Sequence, residues 1–158
     1  MSTLLNQLIT LSSGLLTPLI AIMTVYIAFQ QYKINRYKFI FDLFEKRYYV
    51  FKETSIVLRT LSAEFDYENL NEFNQNTKER IFYFETDIEE FIGLIIENAL
   101  QYNLLEKRKD LLLVHPGNEI ELGEIGTKQK MLSSWFESER KNLPIRFKNY
   151  LNLGSFKN

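Results

Sequence analysis

The sequence predicts an all-α protein, in which an N-terminal transmembrane helix continues into a cytoplasmic helical bundle of about four helices. Three observations carry that expectation. The first charged side chain is Lys33, so all nineteen basic and twenty acidic residues lie beyond Tyr32. Glycine and proline are scarce, at six and three, while Phe and Tyr number thirteen and nine. Such a composition favours long helices packed through large side chains over turn-rich β structure. After Phe29, apolar residues recur at spacings of three and four, the period of a helix face.

The anchor comes first. LITLSSGLLTPLIAIMTVYIAF, Leu8 to Phe29, is 22 residues long. At 1.5 Å per residue that is roughly 33 Å, the hydrocarbon thickness of a bilayer. One lysine at its centre would cost about 3 kcal/mol, and the segment has none. A cleaved signal peptide needs a basic start and a small-residue cleavage site. Here MSTLLNQ is uncharged, and the apolar run leads straight into Tyr26, Phe29 and Tyr32. A buried core helix is seldom apolar all round for about six turns, and an interfacial helix needs a charged face. Between Lys33 and Lys52, six basic residues (Lys33, Arg36, Lys38, Lys46, Arg47 and Lys52) outnumber Asp42 and Glu45. The positive-inside bias then leaves residues 1–7 as a short extracytoplasmic N-terminus. Residues 30–153 become a cytoplasmic helical domain in the inner membrane's shadow, and 154–158 a tail. Tyr26 and Tyr32 suit the aromatic belt at that interface. Lys33, Arg36 and Lys38 suit anionic headgroups, each contact worth on the order of 1 kcal/mol. Pro18 can kink the span, with Thr17 or Ser13 re-satisfying the freed carbonyl. Ser13, Thr17 and Ala21 make a small-residue stripe at spacing four, a helix-association face, although ordinary transmembrane composition explains it more simply.

No Gly or Pro separates Phe29 from Leu61, so the first helix is expected to run on into the cytoplasm. Ile40, Leu43, Arg47, Val50, Thr54, Val57 and Leu61 form one stripe. Phe41, Phe44, Tyr48, Phe51, Ser55 and Leu58 form the next, together a face broad enough for a bundle interior. The polar stretch Asp66 to Asn76 reads as a loop merging into a short helix from about Asn71 to Phe84, with Phe73, Ile81, Phe82 and Phe84 as contacts. Thr86 opens a capping-box pattern with Glu89 three residues on. The helix behind it carries Ile88, Phe91, Ile92, Ile95, Ile96, Ala99, Leu100 and Leu104, and should end near Leu113. HPGNEIELGEIG, His115 to Gly126, holds the best breakers in the chain and reads as a loop or at most a short hairpin. A last helix from about Thr127 carries Met131, Leu132, Trp135, Phe136 and Leu143. Pro144 either kinks it or starts a final turn through Phe147, Tyr150 and Leu151.

Two stretches carry a resemblance. YIAFQQYKINRYKFIFDLFEKRYYVF, Tyr26 to Phe51, joins a span, a Gln-aromatic exit and a basic run into DLFEKRYYVF. KQKMLSSWFESERKNLPIRFKNYLNL, Lys128 to Leu153, has the form L-x-x-W-F…F-x-x-Y-L, and IFYFETDIEEFIGLI at Ile81 to Ile95 lies between them. These resemble a widespread family of small bacterial single-pass membrane proteins of unassigned function. The resemblance covers most of the chain outside Leu113 to Gly126. It implies a helical anchor with a cytoplasmic helical domain, and no activity, substrate or site residue.

Little in the chain points to catalysis. With no cysteine there is no thiolate ligand, disulfide or cysteine nucleophile. A net charge of −1 gives no reason to expect nucleic acid. His115, the sole histidine, sits beside Pro116 and Gly117 without further ligands and reads as a surface residue. Glu85, Asp87, Glu89, Glu90 and Glu97 could be taken for a cation cluster, yet acids at a helix start follow from the macrodipole alone. Arg47 falls on the apolar stripe and is expected to pair inside the bundle with an acid such as Glu85 or Glu89. Trp135 and Phe136 read as core. The expectation is a non-enzymatic, membrane-anchored interaction or regulatory module without cofactor. Its partners are the lipid bilayer and either a homo-oligomer or another protein. The alternative is a membrane-acting effector, of toxin or antiphage-defence type, that oligomerises through its transmembrane helix.

Overall fold

Four α-helices make up the described part of the computed structural model, and no strand occurs among the described residues. They are α1 (Ser2–Ala63), α2 (Tyr67–Asn76), α3 (Thr86–Leu113) and α4 (Glu119–Phe147), with a 3₁₀ turn at Lys78–Phe82. The description covers the backbone of residues 2–63, 67–114 and 117–152, and omits the side chains at 2, 4–13, 15, 62, 63 and 67. His115 and the tail at 154–158 therefore lie outside the described residues, as does the side chain of Ser13. Contacts divide the chain into two units, residues 1–42 and 43–158.

In the first unit, every described side chain from Leu16 to Phe41 is exposed except the half-buried Gln30 and Ile40. The segment expected to cross the bilayer, Leu8 to Phe29, is helical, but the side chains at 8–13 and 15 fall outside the description. Among the described residues, no helix is long and apolar enough to cross a membrane.

The second unit owns the core. Val50, Val57, Leu58 and Leu61 of α1 meet Leu70 and Phe73 of α2, and Ile88, Phe91, Ile92, Ile95 and Ala99 of α3. Phe136, Leu143 and Phe147 of α4 complete the cluster. Fully burying one such Leu, Ile or Phe stabilises by about 1.5–3 kcal/mol. The stripes read on α1 enter this core from Val50 onward, whereas Phe41 and Tyr48 are exposed. On α3 the expected face is buried through Ala99, but Leu100 and Leu104 are exposed because at about 100° per residue they point away from the face of Ile88, Ile95 and Ala99.

Two boundaries differ from expectation. α2 begins at Tyr67 and ends at Asn76, with only a 3₁₀ turn after it. Its apolar face is thin but sufficient, since Leu70 and Phe73 are buried, and the hydroxyl-bearing Thr77 just past its end is buried with them. Thr77 also ends the helix: its amide and its hydroxyl both donate to the Phe73 carbonyl, at 3.0 and 2.8 Å. Ile81 and Phe82, expected as core contacts, are exposed, Phe82 by 76%.

The second difference is α4, which starts at Glu119, eight residues before the expected Thr127. Gly123 and Gly126 sit inside it, each costing about 1 kcal/mol relative to alanine. Burial of Ile125 offsets that cost, and Glu119 and Glu121 in the first turn suit the helix dipole. Gly117 makes the turn before it with φ 104°, a conformation that favours glycine. Met131, expected in the core, is exposed. Pro144 lies within α4, which runs to Phe147 before a turn in which Tyr150 and Leu151 donate to the Phe147 carbonyl. α3 opens at Thr86 as expected. The N-cap position falls on Glu85, however, whose side chain makes no capping bond.

Candidate functional site

Each unit presents one surface with functional potential. In the first, the expected interface residues occupy consecutive turns of α1. Tyr26 accepts a hydrogen bond from Gln30 Nε2 at 2.9 Å, one turn ahead. Lys33 places its ammonium 4.7 Å from the centre of the Phe29 ring. Tyr32, Arg36 and Lys38 are exposed, as are Thr17 and Ala21. Thr24 donates to the Ile20 carbonyl at 2.8 Å, which hides its hydroxyl within the helix's own backbone.

In the second unit, a cleft of about 450 Å³ opens between α1 and the segment that follows α2. That volume lies within the range of small-molecule sites. Glu45, Lys46, Tyr49 and Val50 form one wall, and Gln75, Asn76, Lys78, Glu79, Arg80 and Tyr83 the other. The second wall exists because α2 stops at Thr77. Arg80 folds back, donating through Nη1 to the Thr77 carbonyl at 3.1 Å and hydroxyl at 3.3 Å. Its Nε is buried with no hydrogen-bond partner among the described residues. Burial holds the Arg80 pKa below the usual arginine range, with the Glu89 charge pulling the other way.

A short relay crosses the cleft. Lys46 Nζ donates to the Tyr83 hydroxyl at 2.7 Å, and that hydroxyl donates to Glu79 at 2.7 Å. The ammonium also lies 4.9 Å from the Tyr83 ring centre and 4.0 Å from the Glu79 carboxylate. The hydrogen bond from Tyr83, and then the Lys46 charge, hold the Glu79 carboxyl below the usual range. A carboxylate so stabilised is a weaker base than a free glutamate.

Beside the cleft, Arg47 joins three parts of the chain. Its Nε donates to the Tyr83 carbonyl at 2.8 Å and its Nη1 to the Tyr150 carbonyl at 3.4 Å. The guanidinium also lies 5.3 Å from the Tyr150 ring and 5.9 Å from the Phe84 ring. These hydrogen bonds go to backbone carbonyls; burial lowers the Arg47 pKa, and the charges of Tyr150 and then Glu85 pull it back up. Asp87, read as a helix-start acid, accepts from the Tyr150 hydroxyl at 2.6 Å. Burial, and then that carboxylate, push the Tyr150 pKa up to about 12.

Three of these features had no signal in the sequence. Lys46, Glu79 and Tyr83 come from distant positions, and only the chain's return along α1 brings them together. The buried Glu139, which accepts from Arg146 Nε at 2.8 Å, reads as an exposed charge by composition. Arg146 in turn covers the Phe91 ring at 4.4 Å. Trp135 packs against the core, with its ring 5.4 Å from that of Phe136. Among the described residues, no group of three or more His, Asp or Glu side chains could hold a metal ion. No protein-family model, curated protein or solved structure matches this chain.

Proposed function

We propose that the protein is a membrane-anchored helical interaction module, with residues 8–29 of α1 in the bilayer and the unit from Leu43 onward in the cytoplasm. The observation that carries this reading is the surface of α1 between Leu16 and Phe29. Nine large apolar or aromatic side chains there, among them Leu19, Ile22, Val25 and Phe29, are each more than half exposed. They spread over more than half of the helix circumference, and Thr17, Ala21, Thr24 and Ala28 fill the remainder. At about 25 cal/mol per Å², and on the order of 100 Å² exposed per side chain, leaving them in water costs about 20 kcal/mol. That exceeds the 5–15 kcal/mol by which a domain is ordinarily stable. Lipid removes the cost, and a run without charge up to Tyr32 permits it. The basic excess after Lys33 supports a cytoplasmic C-terminal side, and the cleft with its Lys46–Tyr83–Glu79 relay supports binding.

Membrane fractionation tests the anchor. The full chain is expected to stay in the membrane pellet through an alkaline wash, and a C-terminal phosphatase fusion to be inactive while a fluorescent fusion is bright. Release of the protein by the wash would end the reading.

A further inference from the structure

We propose that α1 pairs in parallel with α1 of a second copy, through the stripe Ile34, Tyr37 and Phe41. This rests on the membrane-anchored reading and names the partner and the surface that it leaves open. Lipid cannot cover the far end of the stripe. Along the helix, Tyr37 and Phe41 lie about 12 and 18 Å beyond Phe29, at 1.5 Å per residue. The headgroup layer of one leaflet is only about 5–8 Å deep. Yet Ile34, Tyr37 and Phe41 are 63%, 71% and 53% exposed, so the chain does not cover them either.

The stripe continues a seven-residue repeat. From Leu16 onward, apolar residues recur at alternating spacings of four and three, through Ile27 and the single polar member Gln30, to Ile34, Tyr37 and Phe41. A repeat of seven keeps one seam facing a parallel neighbour over its whole length. Its seven apolar positions expose on the order of 100 Å² each, so the pair buries up to about 700 Å² per copy, near the size of an ordinary stable interface, with Ile34, Tyr37 and Phe41 as the part that leaves water. A second copy is the natural occupant. Two chains anchored in one bilayer with the same orientation arrive parallel and in register, with the same face on both, as a two-fold contact requires. Confinement to the membrane also raises their effective concentration. Lys33 and Lys38 flank the seam and repel across it. The Lys33 ammonium is turned back over the Phe29 ring, towards the headgroups that offset this repulsion.

Because the chain contains no cysteine, single cysteines report without background. The full chain in native membranes, mildly oxidised, should form disulfide-linked dimers from Ile34→Cys, Tyr37→Cys and Phe41→Cys at least tenfold more than from Asn35→Cys or Phe39→Cys. Adding Tyr37→Glu to Ile34→Cys should cut the dimer at least tenfold, with helix content by circular dichroism unchanged. Dimers confined to Thr17→Cys and Ala21→Cys would overturn the proposed seam and leave the interaction module standing. An even profile along the helix would overturn it as well. No dimer at any position would sink the pairing, while retention through the alkaline wash would still uphold the anchor.

Discussion

Replacing Arg47 with methionine keeps most of the aliphatic length and removes the guanidinium that ties α1 to the chain before α3 and to the turn after α4. Two carbonyls lose their donor. The bond to Tyr83 at 2.8 Å is a full hydrogen bond from a charged group, worth about 1.5–3 kcal/mol. The one to Tyr150, at 3.4 Å, contributes little. The ring contacts with Tyr150 and Phe84 add about 0.5–1 kcal/mol. Against these stands the desolvation that holds the Arg47 pKa below its usual value, and which methionine escapes. The side chain is only half-buried, so water screens both sides of the balance. The net expectation is a loss of about 1–2 kcal/mol. For a unit of this size each kcal/mol moves Tm by about 4 °C, so the melt of the full chain in detergent, followed by circular dichroism, should fall by about 4–8 °C. Arg47→Lys, a point charge able to serve one carbonyl, should fall between. A methionine variant as stable as the parent would show that desolvation cancels the bonds, and the account of Arg47 as a clasp would be wrong.

Tyr150→Phe removes the hydroxyl that donates to Asp87, and should cost about 1–2 kcal/mol near neutral pH. Since the folded Tyr150 pKa is raised to about 12 from an ordinary 10, its contribution is complete below pH 10 and vanishes as pH rises through 12. Denaturant midpoints of the two proteins should therefore converge only in that alkaline window, and convergence below pH 9 would refute the pairing. Gly126→Ala should stabilise by about 0.5–1 kcal/mol, because Gly126 is helical and an added Cβ meets nothing within 4 Å. A lower midpoint would mean that the segment is not helical in solution.

Where local rules agreed with one another, the elements could be read directly. α3 combines a strong period, buried Ile88, Phe91, Ile92 and Ile95, a capping-box pattern at Thr86 and breakers after Leu113, and both of its ends fall where the pattern placed them. α1 runs to Ala63, two residues past the expected Leu61, because nothing between interrupts it. Reading failed where a weak local signal met a tertiary partner. Two glycines made residues 119–126 look like a loop until the burial of Ile125 outweighed them. The polar run around Leu70 and Phe73 hid a helix in which these two are the buried apolar side chains among the described residues.

The site divides along the same line. Charge and hydropathy along the chain determined the uncharged segment up to Tyr32, the basic exit at Lys33, Arg36 and Lys38, and the all-helical class, because each depends only on neighbours in sequence. The sequence also placed Arg47 on an apolar stripe, but it could not choose between a carboxylate and a carbonyl as its partner. That choice, the meeting of Lys46 with Tyr83 and Glu79, and the bond from Tyr150 to Asp87 belong to the tertiary structure alone. Each joins groups more than thirty residues apart, and their distance is set by how α1, α2 and α4 pack around one core.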